Sequence, residues 1–210
     1  LKAKKTRYAQ SRLRRNILSL SVFLLLAAAV WLDRSFHSYR KTAALAEKTQ
    51  ETDDWDKYNE KSFTVVKVVD GDTIDINIPD ANFATTRIRL LGIDTPETEK
   101  SPKGAMYYGA EASKFTADTA LGQEVTVIMD KVSKPRDKYN RLLCFVKLAD
   151  GRILNEELVS EGFAYADTRF PHSYFEKYIQ LEKTAQKQKE GLWRKVTSDQ
   201  MPQWHRKIKN

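Results

Sequence analysis

Five side chains in the middle of this sequence have the types and order that phosphoryl-transfer chemistry needs. Asp72 directly follows an Asp70-Gly71 turn, and Asp94 lies in Gly92-Ile-Asp-Thr-Pro-Glu-Thr98. Two carboxylates and the main-chain carbonyl of Thr95 are hard oxygen donors of the kind that hold a calcium-sized cation, with water completing the shell. Pro96 biases Thr95 toward an extended backbone, which turns its carbonyl away from local hydrogen bonds. Glu97 directly follows, close enough to act as a base on a water beside such a cation. Arg89 and Arg141 carry permanent charge on planar N–H forks, which grip a phosphodiester and offset the added charge of five-coordinate phosphorus. Each piece alone has a plain structural reading: a turn, a helix cap, surface ion pairs with Asp70 or Asp137. Together they make a constellation that the pieces separately do not.

Separate elements must bring these residues to one place. Phe63-Thr-Val-Val-Lys-Val-Val69 is rich in β-branched residues and reads as a strand. Asp70-Gly71 is turn chemistry. Thr73 to Ile78 then alternates strictly, with Ile74, Ile76 and Ile78 on one face. Residues 85–91 make a third strand, with Arg87 and Arg89 on one face and Ile88 and Leu90 on the other. Ala105 to Leu121 is helix-compatible and stops at Gly122. Strands follow over 124–129 and 141–148, and helices over 153–161 and 174–189. This is the order of a five-stranded Greek-key barrel of the OB type, a mainly β, α+β fold with three helices. A mixed α+β sandwich has the same string of elements. In the barrel, the loops bearing Asp72 and Asp94 can share one end.

The chain has 210 residues and a formal net charge of +8, from 36 Lys and Arg against 28 Asp and Glu. Seven of the basic residues crowd into residues 1–16 without an acid, whereas residues 61–210 hold 24 basic and 21 acidic residues. The basicity therefore describes the N-terminal tail, and nucleic-acid binding has to be argued from particular residues. A single cysteine, Cys144, excludes an intramolecular disulfide framework and a Cys-based structural zinc site. Its place in a strand reads as a small buried hydrophobe. His37, His172 and His205 are too scattered for a His-rich metal centre. No G-x-S-x-G motif supports a serine hydrolase. Lys183, Lys187 and Lys189 read as a solvated helix face, or as an attraction for a polyanion.

Residues 17–32, ILSLSVFLLLAAAVWL, carry no charge. As a helix they span about 24 Å, short of a hydrocarbon core of about 30 Å. Flanking Arg14, Arg15 and Arg34 can snorkel, and Trp31 suits an interface. A retained signal anchor is favoured over a cleaved signal peptide, because large residues follow Ala27 to Ala29. A mitochondrial presequence and a buried core helix are the remaining readings. For an anchor, the basic bias keeps residues 1–16 in the cytoplasm and the rest outside that membrane. Residues 33–61 read as a polar, partly helical linker, 62–195 as the domain, and 196–210 as a loosely held basic tail without activity.

Asp70-Gly-Asp-Thr73, Arg89-Leu-Leu-Gly-Ile-Asp-Thr-Pro-Glu-Thr98, Tyr108-Gly-Ala-Glu-Ala-Ser113, Asp137-Lys-Tyr-Asn-Arg141 and Asn155-Glu-Glu-Leu-Val159 together resemble the staphylococcal nuclease (thermonuclease) family, over about residues 62–195. The resemblance implies an OB-fold barrel and Ca²⁺-dependent cleavage of DNA and RNA at the bond to the 5′ oxygen, leaving 3′-phosphate ends. By position it implies Asp72, Asp94 and Thr95 as metal ligands and Glu97 as general base. It implies Arg89 and Arg141 on the phosphate, Asp70 just behind the metal ligands, and Lys138, Tyr139 and Phe170 near the nucleotide. Two departures stand out. Asn140 takes a position where the family often has glycine, and Asn is the next most tolerant residue if φ there is positive. Thr168 and Phe170 replace two pocket tyrosines; Phe170 can still stack but lacks a hydroxyl, and Tyr165 reads as packing. An OB groove takes unpaired strands more readily than a stiff duplex, so single-stranded DNA or RNA is the expected partner. No protein partner is implied. The other reading is a non-catalytic OB-fold nucleic-acid-binding module tethered to a membrane.

Overall fold

The computed structural model describes the backbone of residues 2–99, 101–102 and 104–207, with side chains from residue 28 onward. Helix α1 is Lys2–Tyr58, and the chain divides into two compact units, Leu1–Thr52 and Asp53–Asn210. The basic block 1–16 and most of the apolar run 17–32 lie outside the described side chains. Among the described residues, no helix is long and apolar enough to cross a membrane.

The second unit contains a closed barrel. Its elements in chain order are β1 (Lys61–Asp70), β2 (Thr73–Ile76), β3 (Thr86–Leu90), β4 (Ile93–Asp94), α2 (Gly109–Ala120), β5 (Glu124–Met129), β6 (Leu142–Lys147), α3 (Leu154–Ser160), β7 (Tyr165–Ala166), α4 (Phe175–Gln188) and α5 (Gln203–Arg206). The barrel order is β1-β2-β3-β6-β5, and β1 closes it by pairing with both β2 and β5. Two register shifts in β1, between Val65 and Lys67 and between Val68 and Asp70, bend it enough to do so. Only β3 and β6 pair in parallel within the barrel. The alternation expected at Ile74, Ile76, Ile88 and Leu90 places all four in the core, with Val65, Val127, Leu142 and Cys144. Burial pushes the Cys144 thiol up, so it is an inert hydrophobe. Asn155 ties α3 to the barrel end: its Oδ1 accepts from Val146 N, and its Nδ2 donates to the carbonyls of Leu91 and Cys144.

Packing moves two boundaries read from the sequence. The compact unit starts at Asp53 rather than at 62, because the end of α1 belongs to it. Tyr58 is fully buried, and its hydroxyl lies 3.0 Å from Thr86 Oγ1. Asp54 takes a bidentate ion pair from Arg136, at 2.7 and 2.6 Å, and the same guanidinium reaches Asp80. At the other end, the basic tail is not loosely held. Residues 198–206 form a 3₁₀ turn and α5, and His205 is buried.

Candidate active site

The turn between β1 and β2 and the segment after β3 are locked together. Asp70 Oδ1 accepts from Asp72 N in the turn. Gly71 lets this turn press against Thr95: a Cβ there would lie 2.8 Å from the Thr95 side chain. Thr116 on α2 donates to the Gly71 carbonyl at 2.6 Å, so the helix braces the turn. Asp72 Oδ2 in turn accepts from the Thr95 N–H (2.8 Å) and hydroxyl (3.1 Å). Glu97 is fixed through its backbone. Its carbonyl accepts from Met106 N, and Gly109 passes so close that a Cβ would overlap it. That contact requires glycine at 109, where α2 begins rather than at Ala105, with Tyr108 turned to φ 71° just before it.

Arg89 sits between the two aspartates. Its Nε lies 3.0 Å from Asp72 Oδ1 and its Nη2 2.8 Å from Asp94 Oδ1. Its Nη1 donates to the carbonyls of Leu90 and Ile93, so the guanidinium is held by the same segment that carries Asp94. The side chains are 13% (Arg89), 8% (Asp72) and 23% (Asp94) exposed. Burial is the main cause that raises the Asp72 and Asp94 carboxyls above their ordinary values; Arg89 opposes it, while Asp70 adds to it at Asp72 and Asp72 adds to it at Asp94. For Arg89, burial works against the charge, but Asp72, Asp94 and Asp167 together outweigh it and hold the guanidinium above its usual value.

The donor set suits a hard divalent cation. Two carboxylates raised by burial share one guanidinium between them, and their oxygens are of the type calcium takes. Among the described residues no group of three or more His, Cys, Asp or Glu side chains is placed to hold a metal. Asp72, Asp94 and the Thr95 carbonyl, with water, are the donors that would have to hold a cation here. Such a cation would also compete with Arg89, which already neutralises both acids.

Asp94, Thr95 and Glu97 line one side of a cleft of about 750 Å³, which Tyr107, Arg169 and Trp204 complete. Arg141 is not among the lining residues. Its Nε and Nη2 lie 2.8 and 2.7 Å from Asp137 Oδ2, the ion pair left open as its structural alternative. Arg141 directly precedes β6, whose first residue Leu142 pairs with Ile88, the neighbour of Arg89 on β3. The 137–141 turn has Asn140 at φ 62°, the left-handed conformation that its replacement of glycine demands. Tyr139 is 68% exposed there, with Lys138 Nζ and Arg141 Cζ at 4.9 and 5.5 Å from its ring. Phe170 is 62% exposed, beside Arg169. Tyr165 is buried and belongs to the packing.

Sequence reasoning missed Arg169 and Trp204. Arg169 pairs with Asp167 (2.7 Å) and lies 3.2 Å from Asp94 Oδ2, and Trp204 Nε1 donates to that same oxygen at 2.8 Å. The one signal available was an aromatic in a polar tail, Pro202-Gln-Trp-His-Arg206.

A closed five-stranded barrel with an acid–arginine cluster at the β1–β2 turn defines the class as an OB-type barrel domain. Residues 87–195 match the family model described as staphylococcal nuclease homologue. The thermonuclease of Staphylococcus hyicus is 40% identical over 136 residues, covering 64% of this chain and 77% of the relative. That of Staphylococcus intermedius is 39% identical over 134 residues, covering 63% and 76%. The micrococcal nuclease of Shigella flexneri is 32% identical over 154 residues, covering 70% and 81%. The chain belongs to the staphylococcal nuclease family.

Proposed function

We propose that the protein is a Ca²⁺-dependent nuclease that hydrolyses phosphodiester bonds of DNA and RNA with low sequence specificity and leaves 3′-phosphate ends. One observation carries the reading: Asp72 and Asp94 converge on one buried guanidinium, with Thr95 and Glu97 on the same segment facing a nucleotide-sized cleft. Family membership and the names of the thermonuclease relatives support it.

In this reading Arg89 takes an equatorial phosphate oxygen, and Arg141, just before the β6 strand that pairs with β3, reaches the phosphate once released from Asp137. The Glu97 carboxylate accepts a proton from the attacking water. Water oxygen bonds to phosphorus as the bond to the 5′ oxygen breaks, and the leaving 5′ oxygen takes a proton from solvent water. A bound calcium ion, held by Asp72, Asp94 and the Thr95 carbonyl, would supply charge neutralisation at the phosphate. Asp70 holds the Asp72 turn. Tyr139, Lys138 and Phe170 offer ring and cation surfaces to the strand, unpaired strands being favoured.

The test is release of acid-soluble nucleotides from denatured DNA, with calcium and with EGTA. Activity that ignores the chelator removes the calcium assignment, and strand binding without cleavage selects the non-catalytic module. We further propose that residues 17–32 anchor the domain on the far side of the cytoplasmic membrane. Loss of the protein from carbonate-washed membranes, or a cytoplasmic C-terminal tag, would overturn that.

A further inference from the structure

One wall of the cleft touches Asp94 Oδ2 but is given no task in the bond-breaking step. Trp204 and Arg169 form it, with the Arg169 guanidinium 4.5 Å from the indole centroid. The wall is fixed from behind. His205 is buried with Nε2 2.9 Å from Glu182 Oε1, and its ring packs on Tyr165 and Trp193. Tyr107 lines the same cleft, whose volume of about 750 Å³ falls within the range of small-molecule sites.

The charges decide what fits. Asp94, Glu97 and Asp199 line the cleft against Arg169 and Arg206, and Arg169 is already paired with Asp167. A phosphate gains little from such a lining. Arg169 already covers one face of the Trp204 indole, so a flat, uncharged ring would lie against this stacked pair from its open side and against the Tyr107 phenol. Base–aromatic stacking of this kind tolerates any base.

We propose that Trp204, Tyr107 and Arg169 form a stacking site for the base of a nucleotide adjacent to the phosphate held at Arg89, on an unpaired strand. The proposal rests on the nuclease reading for the position of that phosphate. The C-terminal segment, on this account, sets how many nucleotides the enzyme grips.

Fluorescein-labelled single-stranded oligonucleotides of increasing length, titrated with the full chain in EGTA and followed by anisotropy, test it. Wild type should gain affinity about tenfold at the length that reaches the site. Trp204→Ala should lose that step, while Trp204→Phe, which keeps a ring and lacks the N–H, should retain most of it. The salt slope should be the same in all three, because no phosphate contact is removed. If Trp204→Ala melts below the assay temperature, Tyr107→Leu should lose the same step. An unchanged length profile in the ring-deleting variant overturns the proposal. An equal loss in Trp204→Phe also overturns it, by assigning the effect to the Asp94 hydrogen bond, and so does a wild type without strand affinity. Cleavage of the same strands in calcium is scored separately. Binding without cleavage sinks the nuclease reading and leaves the stacking site; cleavage indifferent to both rings does the reverse.

Discussion

Replacing Arg89 by glutamine should separate two duties of one guanidinium. Asp72 and Asp94 are largely buried, and Arg89 contacts both, at 3.0 and 2.8 Å. Removing one partner from a buried ion pair costs about 3–5 kcal/mol, because the acids left behind cannot be resolvated. Arg169 can take up little of this. It reaches only Asp94, at 3.2 Å, and its side chain is 39% exposed, so its attraction is screened. In EGTA, Arg89→Gln should therefore melt about 10 °C below wild type, at roughly 2–4 °C per kcal/mol for a domain of this size. Calcium should return part of that, since a ligand at about 100 times its Kd adds about 2.7 kcal/mol. Its stabilising shift should be larger in the variant than in wild type, because the guanidinium no longer competes for the carboxylates. Nuclease turnover should stay about 10²–10³-fold down even when stability is restored. Thermal melts in EGTA and calcium, with an acid-soluble release assay, read both. A loss under about 1 kcal/mol, or a smaller calcium shift than wild type's, refutes the shared-charge argument.

Glu97→Gln should lower kcat by about 10²–10⁴-fold and keep the calcium-induced rise in melting temperature; a full rate would remove Glu97 as the base. Arg136→Ala should cost about 3–5 kcal/mol by stranding buried Asp54, with turnover at 25 °C unchanged, measured by urea unfolding and initial rates. His172 is buried among Phe145, Phe175 and Tyr178, and burial lowers its pKa despite Asp130 and Asp167. Its folded state holds fewer protons than the unfolded one below about pH 6.5, so its contribution is present above that pH and lost as the pH falls through the folded value. Melting temperature should thus drop more steeply from pH 6.5 toward 5 in wild type than in His172→Gln.

What could be read in advance was local. Strict alternation around Ile74, Ile76, Ile88 and Leu90 announced strands whose inward faces fill the barrel. The Asp70-Gly71 turn and Asn140 declared their backbone through residue type. Asp72 and Asp94 could be paired because each closely follows a strand whose neighbour the hairpin pattern supplies. The misses all depend on distant partners. Nothing near Tyr108 asks a tyrosine for φ 71°; the close pass of Gly109 over the Glu97 carbonyl accompanies it, and it shortens α2. Asp54 belongs to the barrel unit through a guanidinium 82 positions away, in a polar stretch with no apolar stripe to betray it. Trp204 meets Asp94 across 110 positions, from a tail whose basic composition reads as solvated.

The arrangement also explains how a small barrel tolerates acids where it should hold apolar side chains. Asp72 alone at 8% exposure would be costly, since burial disfavours its charged form. The fold offsets that cost with donors that are themselves fixed: the Thr95 amide, the Thr95 hydroxyl and a guanidinium anchored on two backbone carbonyls. None of these donors can relax far without breaking the turn or the β3–β4 segment. The carboxylates are therefore held close to each other whether or not a cation sits between them, and the geometry is set by the barrel rather than by the ion. Such a site gives up stability for placement. Arg89 is oriented before any ligand arrives, so a group that bound it would spend little of its binding energy on ordering the side chain.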